Sequence, residues 1–364
     1  MKSQLRLTLA LTCLVALTNH LCADQIDNYV KQQMQQHHIP GLSLAIVKDG
    51  KIIKAKGYGL ANVELNVPTT KDSVYEIGSV TKVFTATAVM MLVNDGKIGL
   101  DDKITNYLSG LPQTWNEITV RHLLSHTSGI TNDYMDVGQT STRLRNPLSP
   151  KEFMGFVANY QLASAPGEKR AYSNTGFYLL GLIIEKVSGK SYADFMKQRI
   201  FIPLGMDSTG VYSHETVITN RAHGYAWWVY QKALHNGNYL DASWAYSAGE
   251  ITSSVIDLAK WDAALYTDKL LPKARLEEMW PTEKGSYPLG WGVGISKRYG
   301  RVLNHFGGTP GFSSGIERWI DQQLTIIVLM NVNEVPSWDI VDSIANFYVP
   351  GFLKERESQK AEIK

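Results

Sequence analysis

Apolar and polar positions along this chain follow two periods, and the two are segregated. Residues 24–37 carry apolar side chains at helical spacing and meet Pro40-Gly41, which predicts an amphipathic helix closed by chain breakers. "LSLAIVKDGKIIKAKGYG" then alternates on either side of Asp49-Gly50, the pattern of a β-hairpin with a tight turn. From Val83 to Val93 the run "VFTATAVMMLV" contains no charge, so the helix predicted from Ser79 onward is apolar on every side and belongs inside a domain. About 150 residues of helical pattern and loop follow, of which "GFYLLGLIIEKVSG" (176–189) is the clearest helix, ending at Gly189. Strand patterns return in "GWGVGISKRYG", "RVLNHFGG", "GFSSGIERWI" and "LTIIVLMNV", and a last helix near 338–349 stops before Pro350.

Strands at both ends with helices between them predict an α/β fold of the α+β kind. One antiparallel sheet would be built from both termini and flanked by helices, with a mostly helical subdomain inserted. The expected division is a discontinuous sheet subdomain over 24–100 and 245–353, a helical subdomain over 101–244, and a charged, solvated tail over 354–364. A cleft between the two subdomains is the default place for a site.

The first 23 residues change the compartment. Lys2 and Arg6 followed by "LTLALTCLVALT" and a cleavage site after Ala23 read as a signal peptide, too short in its apolar part to span a bilayer. Export to the periplasm or beyond is therefore expected, with no membrane span after cleavage. Both cysteines, Cys13 and Cys22, lie in that segment, so the mature chain has no disulfide, thiol nucleophile or thiolate metal site. Removing Lys2 and Arg6 takes the balance from 36 basic against 34 acidic residues to 34 against 34. Zero net charge gives no footprint for nucleic acid. Oligomeric state leaves no mark in the sequence.

Candidate chemistry begins where the apolar helix begins, in "EIGSVTKVF". A serine at a helix start meets free backbone N–H groups and the positive end of the helix, which favour a developing alkoxide and an oxyanion. Lys82 lies three residues on, beside Ser79 on the same face, and a desolvated lysine with a lowered pKa can take the serine proton. A serine N-cap with a snorkelling lysine would leave the same mark. "KRAYSNTGFYLLG" places Tyr172 and Asn174 two apart ahead of another apolar helix. A tyrosine near a lysine can be held at or near phenolate and act as a base, and an asparagine offers a donor and an acceptor to an amide. "LNHFGGTPGF" supplies His305, Gly307 and Gly308 at the end of a strand, where glycines let a substrate backbone approach the strand edge. No second histidine or carboxylate sits near His305 at metal-ligand spacing, so no metal is expected.

In the order "SVTK", "YSN", "HFG" the chain resembles the class C-like branch of the serine β-lactamase and penicillin-binding-protein superfamily. That branch contains class C β-lactamases, D,D-carboxypeptidases, D-aminopeptidases and family VIII carboxylesterases. "GYGLANVE", "ITVRHLLSHTSGI" and "IFIPLGMDST" look like the branch as well, so the resemblance spans about 26–350. It implies an acyl-enzyme on Ser79, with Lys82 and Tyr172 moving protons. It also implies Asn174, His305, Gly307 and Gly308 as substrate-binding positions, backbone N–H groups of Ser79 and Gly308 as an oxyanion hole, and no cofactor. The expected substrates are small esters, amides or peptides; β-lactam or D,D-carboxypeptide hydrolysis is the alternative, and a non-turnover penicillin-binding sensor the alternative of another class.

Three positions depart from the branch. "HFG" replaces the "KTG" of class C β-lactamases, and Phe306 is expected to exclude water and carboxylates from the cleft. "YSAGEITSS" puts Glu250 where a second glycine is common, and "GYAWWVYQ" (224–231) is an aromatic cluster that either lines an acyl pocket or packs internally. "GFSSG" (311–315) also matches the nucleophile elbow of α/β-hydrolases around Ser313. Its neighbours read as strand, turn, strand rather than strand, turn, helix, so the match is taken as coincidental.

Overall fold

The computed structural model describes residues 25–131, 134, 142–283 and 286–362. The signal-peptide reading of residues 1–23 lies outside them. Helix α1 (25–36) buries Ile26 and Val30, and in the turn after it His38 takes a left-handed φ of 53°. Strands β1 (Gly41–Lys48) and β2 (Lys51–Asn62) form the expected hairpin. Asp49 and Gly50 both have positive φ, 52° and 71°, as a two-residue turn of right-handed strand twist requires. A two-residue strand β3 (Val67–Pro68) adds to the edge of β2.

At the other end of the chain, β4 (Gly292–Ser296), β5 (Gly300–Thr309), β6 (Phe312–Trp319) and β7 (Leu324–Met330) form a meander. The seven strands line up as β3-β2-β1-β7-β6-β5-β4 with antiparallel neighbours throughout. The two ends of the chain meet where β1 pairs with β7, from Leu42 opposite Met330 to Lys48 opposite Leu324.

Side-chain alternation divides the sheet into two apolar faces. Leu42, Leu44, Ile46, Ile326, Val328 and Met330 pack with α1 and with α5 (Ser337–Ala345). Ala45, Val47, Ile327 and Leu329 pack on the other side, where the core contains α2 (Thr81–Asn94), α3 (Asn174–Ser188) and α4 (Val255–Ala264). Helix α2 is buried from Thr81 to Leu92, as its lack of a polar face requires. Helix α3 starts where Ser173 Oγ accepts from Gly176 N and ends at Gly189 with φ 68°. Between α2 and α4 the chain also holds short strands; Ile251–Ser253 pairs with both Tyr75–Glu76 and Gly210–Val211.

Three local expectations are corrected. Helix α2 starts at Thr81, and Ser79 occupies a single 3₁₀ turn, Gly78–Val80, leading into it. The last core helix ends at Ala345, and the charged tail forms a further helix, α6 (Phe352–Glu362), with Lys354, Glu357 and Ser358 exposed. Phe352 packs edge-on against Trp319, and Arg356 pairs with the buried Glu317 and Asp342. The aromatic run 224–231 forms part of an exposed hairpin: Trp227 stacks on His38, Trp228 stacks on His235, and Tyr230 stands in solvent. Only Tyr225 of that run is buried.

Candidate active site

The 3₁₀ turn is pressed against strand β5, backbone to backbone. Gly78 has φ 50°, and a Cβ there would lie 2.8 Å from the carbonyl oxygen of Gly308 and 2.9 Å from its nitrogen. A Cβ on Gly307 would lie 2.2 Å from the carbonyl oxygen of Ile77 and 2.9 Å from the nitrogen of Ser79. Both glycines are thus required by close approach. A Cβ on Gly308 would meet nothing within 4 Å. Two hydrogen bonds fix the turn: Ile77 N donates to Ile251 O (3.0 Å), and Ser314 Oγ donates to Ile77 O (2.7 Å). Strand β5 pairs with β4 from Gly300 to Asn304, so residues 305–309 have no strand partner on that side among the described residues.

The structure brings the serine, lysine, tyrosine and asparagine singled out from the sequence into one cluster. Ser79 Oγ lies 3.0 Å from Lys82 Nζ and accepts from the Tyr172 hydroxyl at 2.7 Å. Lys82 Nζ also donates to Asn174 Oδ1 (2.8 Å) and to the carbonyl oxygen of Ala248 (2.7 Å). Lys82 is fully buried and its hydrogen-bond partners are all uncharged. Desolvation pushes its pKa well below the ordinary lysine range. Tyr172 goes the other way. It keeps 39% of its surface exposed, yet desolvation lifts its phenol to about 12, only partly opposed by the Ser79 hydrogen bond and the charge of Arg170. Desolvation thus favours a neutral phenol over the phenolate expected beside the lysine.

His305 is held neutral. Burial depresses its pKa to about 3, and its Nδ1 lies 2.9 Å from the Phe306 carbonyl, to which it donates. Strand alternation then separates Phe306 from the cleft. Gly307 faces the serine turn, whereas the Phe306 ring lies across Gly315 beside Val341 and meets Trp338 of α5 at 6.1 Å, on the opposite face of the sheet. The expectation that Phe306 shapes the cleft is corrected on this ground. Glu250 caps the short helix Tyr246–Gly249 that presents the Ala248 carbonyl. Burial, with Asp241 and Glu76 nearby, pushes its carboxyl well above the usual range. Ser313 is a buried residue inside β6, with no following helix.

Two supporting groups were not assigned from sequence. His126 stacks on the Tyr172 ring at 4.6 Å, and its Nδ1 accepts from Ser173 N at 3.1 Å, fixing the segment that carries Tyr172 and Asn174. Its φ of 59° marks a constrained position in "LLSHTSG", which only a backbone view exposes. The Ala248 carbonyl carries no side-chain signal at all.

Residues 26–345 match the Beta-lactamase family model. The chain belongs to the beta-lactamase family. Penicillin-binding protein 4* of Bacillus subtilis (strain 168) is 34% identical over 320 residues, which cover 82% of this chain and 70% of that protein. The octameric penicillin-binding protein homologue from Pyrococcus abyssi has TM-score 0.78 and 29% identity, over 91% of this chain and 77% of that one. The D-amino acid amidase of Ochrobactrum anthropi SV3, solved with D-phenylalanine, has TM-score 0.75 and 26% identity, over 92% of this chain and 99% of that one. A beta-lactamase-family chain with these relatives is a serine hydrolase of that family, as the order of motifs implied. Among the described residues no helix is long and apolar enough to cross a membrane.

Proposed function

We propose that this protein is an exported hydrolase of small esters or amides that works through an acyl-enzyme on Ser79. D-amino-acid amides and peptides are the amide class to test first. One observation carries the reading: Ser79 Oγ is within hydrogen-bond reach of both a desolvated lysine and a neutral phenol, at 3.0 and 2.7 Å. A neutral amine has two N–H groups, and the carbonyl oxygens of Asn174 and Ala248 accept both. Its lone pair is then left for the Ser79 hydroxyl proton. Attack of Oγ on the substrate carbonyl transfers that proton to Lys82 Nζ, while the oxyanion forms beside the adjoining backbone amides of Ser79 and Gly308. The Tyr172 hydroxyl protonates the departing nitrogen or oxygen and is reprotonated from the Lys82 ammonium. Water repeats the sequence in reverse on the acyl-enzyme. No step draws on a cofactor.

Export rests on the sequence of residues 1–23. The amidase neighbour, solved with D-phenylalanine and with L-phenylalanine amide, supports placing amino-acid amides in the substrate panel. The test uses p-nitrophenyl butyrate, D-alanine p-nitroanilide and a fluorophosphonate probe. Ser79→Ala should abolish turnover and labelling, while Ser313→Ala keeps most of both. Labelling that persists in Ser79→Ala and vanishes in Ser313→Ala would overturn the assignment.

A further inference from the structure

A cavity of about 400 Å³ opens beside the serine turn without containing it. Its wall includes Glu76, three residues before Ser79, and Thr309, the residue after Gly308. The direction of the substrate follows from where the proton groups lie. Tyr172, His126 and His305 cluster at the start of the open stretch of β5, so the atom that Tyr172 protonates must leave toward that end. The other substituent of the carbonyl, the acyl portion, then runs past Gly308 toward Thr309 and into this cavity.

The lining offers hydrogen-bond donors. Arg221 donates from Nη2 to Glu76 Oε1 at 2.9 Å, and its guanidinium also hydrogen-bonds Tyr212 and lies over that ring at 4.5 Å. A guanidinium carries five N–H groups, more than the contacts to Glu76 and Tyr212 use. His214 Nε2 accepts from Ala242 N at 3.3 Å, so its Nδ1 carries the proton and donates to the Tyr212 oxygen at 2.9 Å. That leaves the Tyr212 hydroxyl proton free to donate into the cavity, where Tyr239 and Asn238 add two more donor groups. Glu76, the carboxylate on this wall, is already engaged by Arg221.

We infer that this cavity is the acyl-side subsite and that it takes an acyl chain ending in a carboxylate, bound by Arg221 with the hydroxyls of Tyr212 and Tyr239. The inference rests on the acyl-enzyme reading above. It adds a substrate feature on the acyl side and says nothing of the leaving group.

Two esters with the same leaving group test it: p-nitrophenyl butyrate and the p-nitrophenyl half-ester of adipic acid, which has four methylenes between carbonyl and carboxylate. The native protein should prefer the half-ester by about tenfold or more in kcat/KM, the size expected for a charge-assisted hydrogen bond. Arg221→Gln and, separately, Tyr239→Phe should each raise KM for the half-ester while leaving the butyrate within about twofold. Tyr239→Phe guards against misfolding, since Arg221→Gln also unpairs Glu76. No preference in the native protein, or equal losses on both esters, would overturn the inference. Should neither ester be turned over, the acyl-enzyme reading fails on its own account. The cavity is then judged by adipate raising Tm of the native protein and of Ser79→Ala, but not of Arg221→Gln. Absence of that rise would also overturn the inference.

Discussion

Lys82 and Arg318 are long basic side chains, both fully buried, and they are built in opposite ways. Arg318 lies between β6 and α4 with its Nε 2.5 Å from Asp262 Oδ1, and Thr325 Oγ1 donates to the same oxygen at 2.8 Å. The rings of Tyr266, Trp280 and Trp291 surround its guanidinium. Among the described residues Lys82 has no carboxylate partner, only a hydroxyl and two carbonyl oxygens. A buried charge with its counter-charge holds elements together, whereas a buried amine without one is pushed to its neutral form and becomes a base. The difference separates the part of the molecule that maintains the sheet from the part proposed to perform the chemistry.

The largest expected effects come from exchanging each cation for methionine. Lys82→Met should lower kcat/KM by about a hundredfold or more, the scale of lost general-base action, with Tm unchanged or higher. Arg318→Met leaves Asp262 buried without its partner and should cost roughly 3–5 kcal/mol of unfolding free energy. Its folded fraction should keep kcat within about threefold of native. Denaturant unfolding and ester turnover on the same samples check both halves. Equal destabilisation by the two changes would break the contrast.

The next effect tests the contact between turn and strand. Gly307→Ala must displace the Ile77 carbonyl or the Ser79 amide and should lower kcat by tens of fold or more, because the oxyanion position moves with them. Gly308→Ala has open space for its methyl group and should stay within about fivefold. Reversed ranks in steady-state kinetics would show that the approach of β5 to the turn is not what sets the site.

Much of this was legible beforehand because periodicity reports burial. The hairpin at Asp49-Gly50, the four late strands and the uncharged α2 follow from alternation and from the lack of any polar face. The pairing of Ser79 with Lys82 follows from one turn of spacing, and the arrival of Tyr172 and Asn174 beside them from their position at the start of α3. What failed did so for identifiable reasons. A period of two from His305 already puts Phe306 on the other face, so that expectation overlooked the strand's own geometry. The docking of α6 depends on Arg356 meeting Glu317 and Asp342, contacts distant in sequence that a charged composition does not reveal.

Acidity affects the two regions differently. His305, at about 3, and His126, also held far below the ordinary histidine value, stay neutral in the folded protein while the unfolded chain protonates them near 6.5. Their folded pKa values are depressed, so the stability they permit is complete above about pH 6.5 and is lost as pH falls toward 3. For His305 alone the loss at pH 5 is about 2 kcal/mol, so His305→Asn should flatten the fall of Tm between pH 7 and 5. The activity profile should carry no limb near 6.5 from His305. It should also show no alkaline fall until the Tyr172 phenol ionises at about 12. A kcat limb near 6.5 that disappears in His305→Asn would mean that the imidazole titrates in the cleft.

The smallest expected effect belongs to the residue beside His305. Phe306 stands where a hydroxyl in related enzymes contacts a substrate carboxylate, and from that alone Phe306→Thr would be expected to admit carboxylate-bearing substrates. Its ring is instead on the far side of the sheet, against Gly315, Val341 and Trp338, so a threonine there has no path to the substrate. Phe306→Thr should therefore leave the ratio of nitrocefin to p-nitrophenyl butyrate turnover within about twofold. It should cost roughly 1–2 kcal/mol of stability through apolar area lost at the edge of that core. Chemistry and packing would then divide between adjacent residues of one strand, His305 touching the first and Phe306 only the second. A ratio that shifts toward nitrocefin with Tm unchanged would mean that position 306 reaches the cleft after all.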